Sequence, residues 1–514
     1  MKKIDLSPIF TFIKRHRLLL FSFLLSSLFL LFCSKSSPLY PMNDWVDVNC
    51  YMTIGKGMLH GKVPYVDLYE QKGPVLYFIY AIVALFSNRS FFGQYLLEVI
   101  TFGLFLYYSG KLAGLYLGKG SLYVYPVLAG LACIVCTTAA FTHGGSVEQL
   151  SLFMFLYALY SILNACHENR GLTDKEALVN GIFIGAVFWI KYTMVGFYVG
   201  VMLFVLIWYA GWIRNARALL RTLCKILLGF GIVTAVVFAY FLVNRALDDL
   251  YTCYFYNNIF LYPTESELTL MENVKQMFNA AMDRNEVFPL FLFFGLSYLL
   301  INAKERPRDL LLVAMSFYIL MITTYMGKGY VYYALVFAGF TIFGLVAVAA
   351  ALRAMLASKL FRGIQIHPGL HRNLVTGLLC VYFLLLANMT STNTYLMDYD
   401  KQDLPQYKFA DTMHLTHVNP TILNFGFLDG GFYFAADSMP VCPFFCTFNV
   451  AAPDMWQTQY NYISSGKVDF VITRRKRLEE YNCNSSKYEL VQTADMMFEN
   501  YNYTYYLYRL KDAA

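Results

Sequence analysis

Charge is what this chain has least of. Asp, Glu, Lys and Arg make up 14% of its 514 residues, against about a quarter in an ordinary soluble domain. That shortage excludes a soluble enzyme of this length. The net charge of +7 sits in short loops between apolar runs, so it reads as membrane topology and gives no reason to expect a nucleic-acid partner. The eleven cysteines are scattered, most of them in apolar segments where a thiol acts as a small hydrophobe. None has the regular ligand spacing of a zinc site, and dependence on a divalent metal stays open. Cys442 and Cys446 lie in a polar C-terminal region and could pair if that region is outside the cell, but nothing in the sequence fixes this. No internal repeat or low-complexity tract occurs, which weighs against the paired halves of many transporters.

What is present is apolar and aromatic. Hydrophobic residues make up 58% of the chain, with 42 Tyr and 45 Phe, as suits many contacts with lipid headgroups. Crossing a bilayer takes roughly 20 apolar residues. Eleven segments are candidates, several of them short: Leu18–Phe32, Gly93–Tyr116, Ser121–Phe141, Gln149–Ala165, Ala177–Ile190, Met194–Trp212, Ile226–Val243, Val287–Leu300, Leu310–Met326, Tyr332–Ala351 and Leu374–Ala387. The first has the basic start of a signal peptide but no convincing cleavage site after it, so it reads as an uncleaved span. Pro74–Phe86 is apolar but short, and reads as a re-entrant or surface-lying helix.

Sidedness follows from the basic loops. If Pro74–Phe86 does not cross, the clusters Arg214/Arg217/Arg221/Lys225, Lys304/Arg306/Arg308 and Arg353/Lys359/Arg362/Arg372 all fall on the side of the N-terminus. That is the positive-inside arrangement. The expected fold class is therefore an all-α polytopic membrane domain over 1–389 with about eleven helices, its N-terminus cytoplasmic. A small extracytoplasmic α/β domain follows over 390–514. Its strands are expected near Ile422–Gly426, Asp469–Thr473 and Leu507–Leu510, with a helix after the second. The composition suits a bacterial plasma membrane.

On the outer face the first loop, 35–73, concentrates polar residues that an anchor would not need. Asp44 and Asp47 open it, Tyr51, Lys62 and Glu70 follow, and Lys72-Gly73-Pro74 closes it. A carboxylate that takes a proton, facing cations that hold a phosphate, is what sugar transfer from a lipid-phosphate donor requires. Asp44 could instead cap a helix starting near Val46, and Lys72 could be an interfacial lysine snorkelling to anionic lipid. Glu148, in the short loop His143–Glu148, could line the same cavity or stabilise the next helix's first turn. Lys191 interrupts apolar sequence at the outer end of a span. Lys328 and Tyr330-Val331-Tyr332-Tyr333 lie in another outer loop, where the aromatic belt explains the tyrosines equally well. Glu98 is an ionisable group inside a span, with a functional or a packing role.

Asp47, Tyr51, Met58-Leu59, Pro64-Tyr65 and Lys72-Gly73-Pro74, in that order between two apolar segments, resemble the first outer loop of the GT-C superfamily of polyprenyl-phosphate-sugar glycosyltransferases. The likeness is to glycosyltransferase family 39 and its bacterial relatives, which include protein O-mannosyltransferases and the lipid A aminoarabinose transferase. The resemblance covers most of the chain. It implies an inverting transferase of the cell envelope with Asp47 as base and Asp44 as the competing choice. Lys72, with Lys62 and Lys328, would bind the donor phosphate, while Glu148, Glu70, Tyr51, Tyr332, Tyr333 and Lys191 would line the acceptor cavity. The implied partners are a polyprenyl-phosphate-sugar, membrane lipid and an acceptor glycan, lipid or protein. The chain departs from the family at Val48, where an acid often follows the Asp, at Cys50, where some members have Arg, and in spreading Lys-Pro into Lys72-Gly73-Pro74. The rival readings are a polysaccharide polymerase or ligase using lipid-diphosphate donors, with its chemistry in the loop Asn244–Glu286, and a non-enzymatic lipid-linked sugar flippase or transporter.

Overall fold

A computed structural model describes residues 7–87, 90–261, 269–283, 285–325, 329–357, 370–450, 452–498 and 501–511. Helices α1 (Ser7–Cys33), α4 (Phe92–Leu117), α5 (Val124–Thr137), α6 (Val147–His167) and α7 (Asp174–Ile190) form the first part of the membrane layer. Between α1 and α4 lie two shorter helices, α2 (Val46–Leu59) and α3 (Pro74–Leu85). The layer continues with α8 (Gly196–Trp208), α9 (Ala216–Val243), the short α10 (Leu247–Leu250) with its π-helical extension Tyr251–Leu261, and α11 (Leu270–Met282). It ends with α12 (Val287–Ile301), α13 (Pro307–Thr324), α14 (Thr341–Ala357) and α15 (Leu370–Thr390).

Eight of the described helical segments are long and apolar enough to cross a bilayer unaided. The shorter α5, α7 and α12 run alongside them in the same bundle. Helix α3 does not cross. The chain leaves α1 and enters α4 on the same face, since Lys35 N–H donates to the His143 carbonyl at 2.9 Å and Gln94 Nε2 donates to Glu98 beneath the same loop. Twelve residues rise only about 18 Å, short of the ~30 Å hydrocarbon core. One side of α3 packs on α2 and on α9 through Phe78 and Tyr240. The other side leaves Ile82, Leu85 and Phe86 exposed, as a helix lying in lipid requires.

Helix ends are set by local chemistry. Ser146 caps α6 by accepting from Gln149 N–H at 3.0 Å. Thr173 and Glu176 form a reciprocal capping box at the start of α7, and Arg170 grips Glu176 through both guanidinium nitrogens. Helix α2 begins at Val46, but Asp44 does not cap it; no side chain bonds its first turn from the N-cap residue Trp45.

After α15 the chain builds an α/β unit on the face that carries the first loop. Its helices are α16 (Pro405–His414), α17 (Phe432–Ala435) and α18 (Met455–Ser465). Four strands, β1 (Ile422–Phe425), β2 (Phe470–Arg474), β3 (Tyr488–Phe498) and β4 (Tyr501–Leu510), pair in the order β1-β2-β4-β3. β1 runs parallel to β2, with Ile422 opposite Phe470, and the other pairs are antiparallel. Every residue of β1 is buried, as a strand covered on both faces must be. The expected last strand is longer than 507–510 and has a hairpin partner, β3. The helix expected after the second strand is only a 3-10 turn, Leu478–Glu480.

The seam between this unit and α2 is a buried polar contact. Thr53 Oγ1 donates to Asp429 Oδ2 at 2.6 Å, while Gly431 N–H and Asn424 Nδ2 donate to Oδ1. Beside it Cys50 and Cys446 bring their sulfurs to 3.9 Å. All described cysteines are free, Cys442 included, so Cys446 neighbours Cys50 and not Cys442.

Burial pushes the Asp429 carboxyl up to about 6, against the pull of its three donors. A carboxyl whose docked value is raised stabilises docking most at low pH and loses that contribution as pH rises through about 6. The seam should therefore weaken by on the order of 1 kcal/mol between pH 5 and pH 7.5. Hydrogen exchange of the β1–α17 amides should accelerate over that interval in the wild type, beyond the intrinsic rise with pH, and not in Asp429→Asn.

Candidate active site

The first loop turns back under itself so that its two ends meet. Asp47 stands in the first turn of α2, and Tyr51 one turn later donates its hydroxyl to Asp47 Oδ2 at 3.2 Å. This is the i, i+4 spacing of neighbours on one helical face. Burial, and then the Asp47 charge, push the Tyr51 phenol well above its ordinary value, so it stays a donor to the carboxylate.

Lys72 arrives from the far end of the loop. Its Nζ is 3.8 Å from Asp47 Oδ2 and 3.8 Å from Glu70 Oε1, and it lies over the Tyr51 ring at 5.8 Å. Glu70 accepts from the Tyr77 hydroxyl and, at 2.9 Å, from the Lys72 N–H. The backbone explains the sequence Lys72-Gly73-Pro74. Gly73 N–H donates to the Ile190 carbonyl at 2.9 Å, and a Cβ on Gly73 would fall 2.0 Å from the Trp189 carbonyl oxygen. Pro74 then starts α3 with its φ already helical. Only glycine lets the end of α7 press the lysine into place.

A second acid-base pair closes the other side. Glu148, in the first turn of α6, accepts from Lys191 Nζ at 2.6 Å. Lys191 lies in the extended break after α7, over the Tyr333 ring at 3.5 Å and the Tyr332 ring at 5.8 Å. It is within electrostatic range of both Lys72 and Asp47, and Tyr51 senses Glu148 and Tyr332. Asp47, Tyr51, Glu70, Lys72, Glu148, Lys191, Tyr332 and Tyr333 are thus gathered at one place. Glu148 Oε2 is buried without a hydrogen-bond partner among the described residues.

Accessibility separates the two aspartates. Asp47 and Lys72 keep 16% and 11% of their side chains exposed, whereas Asp44 and Lys35 keep 1% each. Asp44 accepts from Lys35 Nζ at 2.8 and 3.1 Å and has His143 Nδ1 3.3 Å away. Burial would raise its carboxyl, but Lys35 and His143 outweigh that and hold it below the usual carboxylate range. It is a fixed anion and a poor proton acceptor. Lys62 follows the last turn of α2, about 20 Å along that helix from Asp47, and its aliphatic stem packs on Gly57. The fold does not bring it to the cluster. Lys328 lies outside the described residues.

Glu98 accepts from the side-chain amides of Gln94 and Gln149 at 3.2 and 3.3 Å, which makes it a support beneath the His143–Glu148 loop. Lys35, His143 and Tyr395, whose hydroxyl accepts from Lys35 Nζ at 3.2 Å, do not stand out in the sequence as site residues. A lysine directly after the first span, on the side where basic residues are disfavoured, is the available signal for Lys35. Asn257 and Asn258 do not stand out either; their amides donate to the Tyr69 hydroxyl at 3.2 Å and the Gln71 carbonyl at 2.7 Å, tying the π-helical segment to the loop. Among the described residues no group of three or more His, Cys, Asp or Glu is placed to hold a metal ion.

No protein-family model matches this chain and no curated protein matches it. Solved structures do. ArnT from Cupriavidus metallidurans in the apo state aligns with a TM-score of 0.59 at 11% identity, over 95% of this chain and 97% of that one. The same protein bound to undecaprenyl phosphate aligns with a TM-score of 0.56 at 12% identity, over 94% and 97%. The chain therefore shares the fold of ArnT over nearly its whole length.

Two stability outcomes follow. Lys191→Met strands the buried Glu148 carboxylate and should cost about 3–5 kcal/mol; adding Glu148→Gln should restore most of it, as thermal unfolding in detergent will show. Gly73→Ala forces backbone apart and should cost more than the ~1–3 kcal/mol of ordinary overpacking, in the same assay.

Proposed function

We propose that this protein is an integral-membrane inverting glycosyltransferase that moves a sugar from a polyprenyl-phosphate donor to an acceptor hydroxyl on the outer face. In this reading residues 1–389 form the transmembrane catalytic domain and 390–514 an extracytoplasmic domain. The observation that carries it is Lys72 Nζ standing between the Asp47 and Glu70 carboxylates, partly exposed, at the end of a lipid-facing helix. The fold shared with a protein whose structure holds undecaprenyl phosphate supports the donor class. Sidedness is supported by Arg214, Arg221, Arg306, Arg308 and Arg353, all at the helix ends away from the site.

The reaction needs a base, an electrophile held in line and a cation for the leaving group. The donor phosphate takes Lys72 for itself, drawing it from Asp47 across a contact that is already long at 3.8 Å. Asp47, relieved of its cation, is left facing the acceptor hydroxyl. The acceptor oxygen bonds to the anomeric carbon as the bond from that carbon to the phosphate oxygen breaks. The electron pair leaves with the polyprenyl phosphate, and the acceptor proton passes to Asp47. Phosphate is a good leaving group, so no strong general acid is required. Tyr51 orients the Asp47 carboxylate, and Glu70 holds Lys72 in the absence of donor. Lys191 and Glu148, beneath Tyr332 and Tyr333, form the acceptor wall.

The test is incubation of the purified protein in liposomes with a panel of radiolabelled polyprenyl-phosphate sugars. One should be consumed, with release of polyprenyl phosphate. Asp47→Asn should lower that rate by about 10²–10⁴ with normal membrane insertion, and Lys72→Ala should weaken donor use as well as slow transfer. Full activity in Asp47→Asn would move the chemistry elsewhere, first to the loop Asn244–Glu286 of a polymerase or ligase.

A further inference from the structure

At the membrane face opposite the candidate site, α1, α4 and α5 part to leave a cavity of about 330 Å³. Lys14, Arg15 and Arg17 of α1, Lys111 of α4 and Lys119 after it all line it, and among the described residues no carboxylate does. Its shape comes from helical spacing. Lys14, Arg17 and Leu18 stand at i, i+3 and i+4, one stripe of α1. On α4 the facing stripe is Gly110, Lys111, Gly114 and Leu115. Gly110 is filled by Leu18 and Leu128, which make the floor, whereas a Cβ on Gly114 would meet nothing within 4 Å. The missing side chain at Gly114 is open space between cations.

Among the described residues none of Lys14, Arg15, Arg17 or Lys111 has a carboxylate within salt-bridge distance, and Lys119 is within electrostatic range of the exposed Glu168. Lys111 is steadied by aromatic faces, 5.0 Å over Tyr160 and 5.8 Å over Tyr107. Nineteen residues of α1 separate Lys14 from Cys33, about 28 Å of helix and so one hydrocarbon thickness. The hollow therefore sits at headgroup depth. Nearby on α1, Phe12 and Ile13 are exposed, an apolar surface that acyl chains can follow along the helix.

We propose that this hollow is a binding site for the phosphate-diester headgroup of an anionic membrane phospholipid, held between α1, α4 and α5. Positive charge in cytoplasmic loops is general in membrane proteins. What sets this place apart is five cations converging on one concave space that no carboxylate lines among the described residues. The site is separate from the sugar-transfer reading and stands whether or not that reading holds.

Native mass spectrometry of the full chain released from a neutral detergent tests it, with phosphatidylglycerol and phosphatidylcholine of identical acyl chains as probes. Phosphatidylglycerol should be retained at least tenfold better. Replacing Lys14, Arg17 and Lys111 by Gln should weaken retention by roughly fivefold for each charge removed, near a hundredfold together. Gly114→Leu fills the hollow without changing charge and should abolish retention in a protein that still elutes as a folded species. Equal retention of the two lipids overturns the proposal. So does undiminished phosphatidylglycerol binding in Gly114→Leu. Displacement of the lipid by millimolar inorganic phosphate would make the site one for a soluble anion and likewise overturn it.

Discussion

The buried pair Lys35–Asp44 is the contact on which the outer half of this molecule depends. Lys35 leaves the end of α1, Asp44 precedes α2, His143 belongs to the loop before α6, and Tyr395 follows α15. Three stretches far apart in sequence, the first loop, the loop before α6 and the segment after α15, meet around one ion pair. Removing either charge leaves the other buried and unpaired, which costs about 3–5 kcal/mol in comparable settings. The pair also fixes where α2 starts, because Asn43 beside it accepts from Trp45 N–H at 3.0 Å and donates to the Gly144 carbonyl at 3.3 Å. Asp47 is two residues further on. Its position is inherited from an ion pair that takes no part in the chemistry proposed for it.

The same division of labour holds elsewhere around the cluster. Fully buried polar groups hold the frame: Glu98 with its two amides, Asp429 with Thr53, and Tyr77 on Glu70. Partly exposed ones, Asp47 and Lys72, face whatever enters. Three elements converge on Lys72 from different directions: α2 through Tyr51, the end of α7 through Gly73, and the π-helical segment through Asn258 and Gln71. A lysine so braced loses little conformational freedom on binding a phosphate, which is a condition for tight and oriented binding.

Much of this could be read from the amino-acid sequence, and the parts that could not have a common cause. Apolar runs marked the eight membrane-length helices, and the shortness of Pro74–Phe86 set α3 apart from them, because length against bilayer thickness is a local property. The polar first loop marked Asp47 and Lys72 for the same reason. Lys62 was misplaced because the loop's polarity gives no hint that α2 carries it away along a helix axis. Asp44 and Asp47 could not be ranked without their partners: Lys35 and, from about a hundred residues away, His143 hold Asp44. The strands β3 and β4 were partly missed because Tyr-rich and Met-rich stretches such as Asp495–Phe498 lack clean alternation. Pairing across the hairpin supplies what the pattern did not.

Helix α3 carries one more implication, for how the chain is made. As it emerges it is an apolar stretch, and nothing already synthesised except α1 and α2 can keep it from being threaded through the bilayer like its neighbours. The contacts that pin it down come from Ile190 at the end of α7 and Tyr240 in α9, well over a hundred residues downstream of its start. The last braces of the first loop are therefore added late, after the ribosome has delivered α7 and α9. Mutations in α7 or α9 that never touch a substrate would surface as failures of biogenesis.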